Sequence, residues 1–157
     1  MSVIDADTRE DFSVRASFRV WGPAPNSQPP RLGVLNPHEL TALLGILPSS
    51  AHKQGDLPQN NPNEGFTWAQ EPWSAGMWEV NSDYRVHSRN LVDHLIWLLD
   101  LLDSVKDQLR EYIDRNDLEA DFFCLIQVED YTGLRLQPEV LKRLTAINVP
   151  LGVEIYS

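Results

Sequence analysis

Cysteine occurs once in the 157 residues, at Cys124. That excludes an internal disulfide framework and fits a reducing, cytoplasmic setting. Basic residues are also scarce: 13 Lys and Arg stand against 23 Asp and Glu, giving a formal net charge of −10. Residues 1–35 balance, so the acidic excess is spread over everything that follows them. Such a field repels phosphate backbones and anionic lipid, and no Lys/Arg cluster interrupts it. Nucleic-acid and membrane partners are therefore not expected, and a protein with a basic surface is. Long apolar runs are missing too; none approaches the roughly 20 residues that cross a bilayer. The opening "MSVIDADTREDF" has no basic stretch leading into an apolar one, so no secretory signal is expected.

Metal and catalytic signatures are equally sparse. His38, His52, His87 and His94 never stand at the three-to-four-residue spacing that sets two imidazoles side by side on one helical face, and there is no cysteine pair. "HELTA" begins like a zinc-protease helix but lacks the second histidine. His87 with Asp83, brought together by folding, is the one metal arrangement left to consider. No G-x-S-x-G elbow or phosphate-cradling glycine loop occurs. Cys124, between Phe122 and Ile126, reads as a core thiol, since a nucleophile needs exposure and an electropositive setting. No residue stands out as catalytic, no metal or cofactor is expected, and an enzyme is less expected than a binding protein.

What is present is a globular composition, 42% hydrophobic and 23% charged. The length suits one domain, expected over 12–157 after an N-terminal tail of 1–11. Phe12, Val14, Ala16, Phe18 and Val20 alternate with polar neighbours and Trp21, as a half-buried strand requires. "GPAPNSQPPRLG" is a loop. In "LNPHELTALLGILPSSAHKQGD", Asn36 is placed to cap a helix, Pro37 suits its first position and Gly45 with Pro48 ends it. Leu40, Leu43, Leu44 and Leu47 are its expected stripe. Residues 49–76 read as largely irregular, and "GMWEVNS" as a returning strand with Trp78 and Val80 on one side.

Helical spacing then takes over. Leu91, Leu95, Leu98, Leu99 and Leu102 share one face, and Val105, Leu109, Tyr112 and Ile113 mark a second helix beginning near Asp103 and Ser104. Phe122, Cys124, Ile126 and Val128 alternate as a strand. "GLRL" reads as a short strand, Pro138 to Ile147 as a helix and "LGVEIY" as a final strand. "LNPHELTALLGILP" and "LQPEVLKRLTAINVP" echo one another as L-x-P-x-x-L-x-x-L. The expected class is α+β: a single mixed or antiparallel sheet with helices mainly on one face. Its two β-α-β-type halves would be joined by a helical middle segment.

"FRVWG", "LNPHELTALLGILPSSAHKQGD", "MWEVNS", "LVDHLIWLLDLL" and "GLRLQPEVLKRLTAINVPLGVEIY" together resemble the bacterial domain-of-unknown-function family 4279. The resemblance spans most of Phe12 to Tyr156. It implies a compact α+β domain and transfers no catalytic residue.

Two sets of residues stand out as candidate sites. Trp97 lies opposite the leucine stripe with Asp93 and Asp100 beside it, the pattern of a partner-binding anchor. The turn at Lys53, Gly55 and Asp56, with Trp68, Trp73 and Trp78 in a glycine- and proline-broken stretch, is a candidate ligand loop. The favoured expectation is a non-catalytic protein-interaction domain, in its sharpest form an immunity-type protein neutralising a basic toxin. A small-ligand-binding protein or enzyme with a tryptophan-lined cleft is the first alternative. A self-associating structural protein is the second.

Overall fold

The computed structural model describes residues 13–22, 33–58, 71–127 and 133–156. The 1–11 tail, Phe12, Trp68 and Val128 lie outside the described residues. The chain runs β1 (Ser13–Trp21), α1 (Pro37–Leu44), β2 (Ser50–His52), β3 (Met77–Asn81), α2 (Leu91–Leu102), α3 (Lys106–Arg115), β4 (Glu119–Gln127), α4 (Pro138–Ile147) and β5 (Leu151–Tyr156). The strands form one mixed sheet in the order β2-β3-β1-β4-β5, with only the β4–β5 pair parallel.

Alternation dictates which face of this sheet is covered. Val14, Ala16, Phe18 and Val20 of β1 are buried, as are Ala120, Phe122, Cys124 and Ile126 of β4 and Trp78 and Val80 of β3. Register pairs them across the sheet: Phe18 with Phe122, Ala16 with Cys124, Val20 with Trp78. The Phe18 and Phe122 rings meet edge-on at 5.1 Å. Leu91, Leu95, Leu98, Leu99 and Leu102 of α2 and Leu109, Tyr112 and Ile113 of α3 are buried on this side. Val140, Leu144 and Ile147 of α4 join them in one core.

Both helix–proline echoes sit in strand–helix–strand units. β4 and β5 are direct parallel neighbours joined through α4. β1 and β2 both run antiparallel to β3, which lies between them, so they too are parallel to each other. The first unit has therefore been opened by one inserted strand.

Three local expectations are corrected. Residues 50–52, read as irregular, form β2, because β3 offers a free edge. "GLRL" forms no strand; residues 133–137 are irregular and approach no partner edge. The α1 stripe is narrower than its leucines imply: Leu40 and Leu44 are buried, whereas Leu43 is 41% and Leu47 83% exposed. The helix has only eight residues at the margin of the helical layer, so a single row reaches the core.

A buried polar clasp inside this fold had no sequence signal. Ala16 donates its N–H to Ser82 Oγ at 3.0 Å, and Ser82 Oγ lies 2.7 Å from His94 Nδ1. His94 Nε2 lies 2.8 Å from the Ser88 carbonyl, which only accepts. Nε2 therefore carries a proton and donates it to that carbonyl, while Nδ1 shares a hydrogen bond with the Ser82 hydroxyl. Both side chains are buried, so this serine–histidine pair ties β1 to α2 and meets no substrate.

Candidate functional site

The site is built around β2, a terminal strand whose outer edge pairs with nothing among the described residues. Its position is fixed from both sides. Asn36 Oδ1 accepts from the His38 and Glu39 amides at 3.2 and 3.4 Å, which starts α1 beside it. Thr41 Oγ1 then accepts from Trp78 Nε1 at 3.0 Å, pinning α1 to β3. Gly45, in a left-handed conformation, ends the helix and turns the chain toward the sheet. Ser49 locks the entry: its N–H donates to the Glu79 carbonyl at 2.7 Å and its Oγ accepts from the Asn81 amide at 3.0 Å.

After β2 the chain reverses. Lys53 donates its amide to Asp56 Oδ2 at 2.8 Å, and the Asp56 amide returns to the Lys53 carbonyl at 3.2 Å. Gly55 takes φ +87°, a conformation that side chains resist. This turn is also strapped to the incoming segment: Gly55 N–H donates to the Trp73 carbonyl at 2.8 Å, and Trp73 N–H to the Asp56 carbonyl at 2.9 Å. The strap places the Trp73 ring on His52, centroids 4.1 Å apart and planes 15° from parallel. His52 in turn donates Nε2–H to the Ala75 carbonyl at 3.1 Å, so the stack is held at both ends.

A depression lies on each side of this edge strand. On the helix side, a cavity of about 310 Å³ is bounded by α1, Leu47, Pro48, Ala51, Lys53 and Asp56. On the other side, a cavity of about 510 Å³ is bounded by Ser50, Leu57, Trp73 and Asp56. Ala51, His52 and Asp56 line both. Leu47, Leu57 and Trp73 at their rims are 83%, 67% and 43% exposed, an apolar fringe around a polar strand.

Of the expected ligand-loop residues, Lys53, Gly55, Asp56 and Trp73 come together here. Trp78 does not: it is fully buried in the core, as its alternation with Val80 requires. His38 and His52, unassigned in the sequence, join the site. His52 could not be found from spacing, because the ring it stacks on is 21 residues away and only the turn strap unites them.

The expected partner-binding set is dispersed in role. Trp97 is half-buried and packs against the core. Asp93 accepts from Ser88 Oγ at the start of α2, and Asp100 accepts from Arg143 Nη2 of α4 at 2.7 Å. Both carboxylates are exposed but already engaged in holding helices. Asp83, the expected companion of His87, pairs with Arg15 at 3.1 Å. Among the described residues, no group of three His, Cys, Asp or Glu side chains is placed to hold a metal ion. No described helix is long and apolar enough to cross a membrane.

The sheet face away from the helices is a second surface to weigh. Arg19 forms a two-pronged pair with Asp121 at 2.9 and 2.6 Å and lies over the Phe123 ring at 4.3 Å. The hydrogen bond to Asp121 holds its guanidinium even more firmly protonated than usual. Trp21 Nε1 donates to Glu119, Asn81 and Ser17 to Glu79, and Tyr156 to Glu154. Arg19 is spent on Asp121, whereas the Glu79 and Glu154 carboxylates accept from neutral donors and keep their charge. Cys124 is closed to chemistry: burial pushes its thiol up to about 12.

The fold and these surfaces belong to a two-layer α+β domain with a cleft-flanked sheet edge that is unpaired among the described residues. The chain belongs to the family described as Domain of unknown function (DUF4279), whose model matches residues 12–157. Comparison with curated proteins and with solved structures gives no match.

Proposed function

We propose that this protein is a non-catalytic protein-interaction domain that accepts an extended, basic segment of a partner protein as a sixth strand on the β2 edge. A single observation carries the reading: a strand with no outer partner among the described residues has a depression on each of its two faces. Strand addition needs both features, because backbone hydrogen bonds supply affinity while alternate side chains enter pockets above and below the sheet. The charge preference follows from the net charge of −10 and from the exposed face of Trp73, with Asp56 lining both depressions and Lys53 only the helix-side one. A basic toxin held by an immunity-type protein is the sharpest form of such a partner.

The test is selection of peptides from a random displayed library against the whole protein. Peptides rich in Lys or Arg with an apolar alternate position are expected. Trp73→Ala and Asp56→Asn should each weaken a selected peptide about tenfold or more, in the range of one lost buried contact. N-methylation of alternate backbone amides should abolish binding if the peptide pairs as a strand. Undiminished binding of the methylated peptide would refute strand addition and return weight to the small-ligand alternative, which draws on the same side chains.

A further inference from the structure

The opposite end of the sheet has the makings of a contact with a second copy. β5 is the other terminal strand, six residues long, and pairs only with β4 among the described residues. In parallel register Leu151, Val153 and Ile155 face the helical layer with Phe122, Cys124 and Ile126. Yet Val153 is 37% and Ile155 60% exposed. α4, the crossover between β4 and β5, has three distinct sides. Val140, Leu144 and Ile147 point into the core, and the flank carrying Arg143 and Ala146 meets α2 and α3 across a small cavity. The remaining flank, 46%-exposed Leu141 with Thr145 one turn on, faces away from those helices, toward the β5 edge.

We infer that two copies of this chain associate edge to edge through antiparallel pairing of their β5 strands, with the Leu141 flanks of both α4 helices closing over the joint. Charge selects a second copy as the occupant. Two chains of net charge −10 repel across most of their surfaces, but β5 carries one charge in six residues, Glu154, already engaged by the Tyr156 hydroxyl at 2.7 Å. A basic partner would find no unengaged carboxylate on this strand, whereas an identical apolar strand fits it. A two-fold axis through the pair makes the contact self-complementary and closed.

Geometry then fixes the register. For the helical layers to lie on the same side, directly opposed residues must both be odd-numbered or both even-numbered. Centring on Glu154 opposes two carboxylates and is disfavoured. Centring on Ile155 pairs little of the strand. Centring on Val153 opposes Val153 with Val153 and Leu151 with Ile155, and places Glu154 against Gly152. Six residues of strand span only about 20 Å, less than an interface of the standard ~800 Å² per partner requires, so the α4 flank has to contribute.

Sedimentation equilibrium of the whole protein over a range of concentrations tests this. The inference expects a reversible dimer, at least tenfold weaker in Ile155→Lys and also weaker in Leu141→Lys, with unchanged helical content in both. The native thiol is buried, so introduced cysteines report cleanly. Under mild oxidation V153C should cross-link to itself faster than E154C, because only the first pair lies directly opposed. A monomer at every concentration, a dimer indifferent to Ile155→Lys, or preferential cross-linking of E154C would each overturn it.

Discussion

Ser82 shows how much a single hydroxyl carries in this protein. It accepts from the Ala16 amide and shares a hydrogen bond with His94, all out of contact with water. Ser82→Ala leaves a buried amide and a ring nitrogen unpaired, so a loss of about 1–3 kcal/mol in urea unfolding is expected. A loss under about 0.5 kcal/mol would show that the clasp is dispensable. Gly33 is constrained in a different way: a methyl group there would meet the Asn116 carbonyl oxygen at 1.9 Å, so Gly33→Ala has to push the α3–β4 turn aside. Cys124 provides a test of the core itself. Its folded-state pKa lies above the ordinary value of 9.0, so the native state holds its proton where the unfolded thiol releases it. This contribution is complete below about pH 9 and is lost as pH rises from there toward 12. Alkylation at pH 8 should leave the native thiol untouched and modify it fully in denaturant; rapid native alkylation would contradict its burial.

At the scale of elements, legibility followed locality. The helices were readable because their caps and leucine spacing lie within one or two turns, as Asn36–Pro37 and Leu91 to Leu102 illustrate. β1 and β4 were readable because each buries one alternating row. β2 was not: "SAH" has no apolar row, and it is a strand only because β3 leaves an edge for it. The Lys53–Asp56 turn declared itself through glycine and aspartate chemistry, but its union with Trp73 depends on two backbone bonds between distant segments. Leu43 and Leu47 misled for the converse reason, since a leucine in helical register is buried only where the layer has room beneath it. Asn36 links this scale to the site. Asn36→Ala should cost about 0.5–2 kcal/mol through loss of the cap, and should also loosen the wall that α1 gives the helix-side depression. Calorimetry of a selected peptide would register that loosening as a smaller binding enthalpy; an unchanged enthalpy would separate the cap from the site.

For the whole molecule, the two edges of one sheet have opposite characters. The β2 edge is short, polar and flanked by cavities, whereas the β5 edge is longer, apolar on its helix side and nearly uncharged. Joining two copies at β5 leaves both β2 edges at the far ends of a continuous sheet, so the dimer would engage a repeated partner twice. The acidic field acts on either form, and capture of a basic segment should slow markedly as salt rises beyond about 0.15 M, with dissociation affected far less. A salt-independent association rate would remove charge steering from the account. The central claim is that β2 receives the partner's backbone, and amide hydrogen exchange with and without a selected basic peptide tests it most directly. The expected result is new protection at residues 50–52 and in the 53–56 turn. Protection confined instead to α2 around Trp97, with β2 exchanging as before, would contradict it.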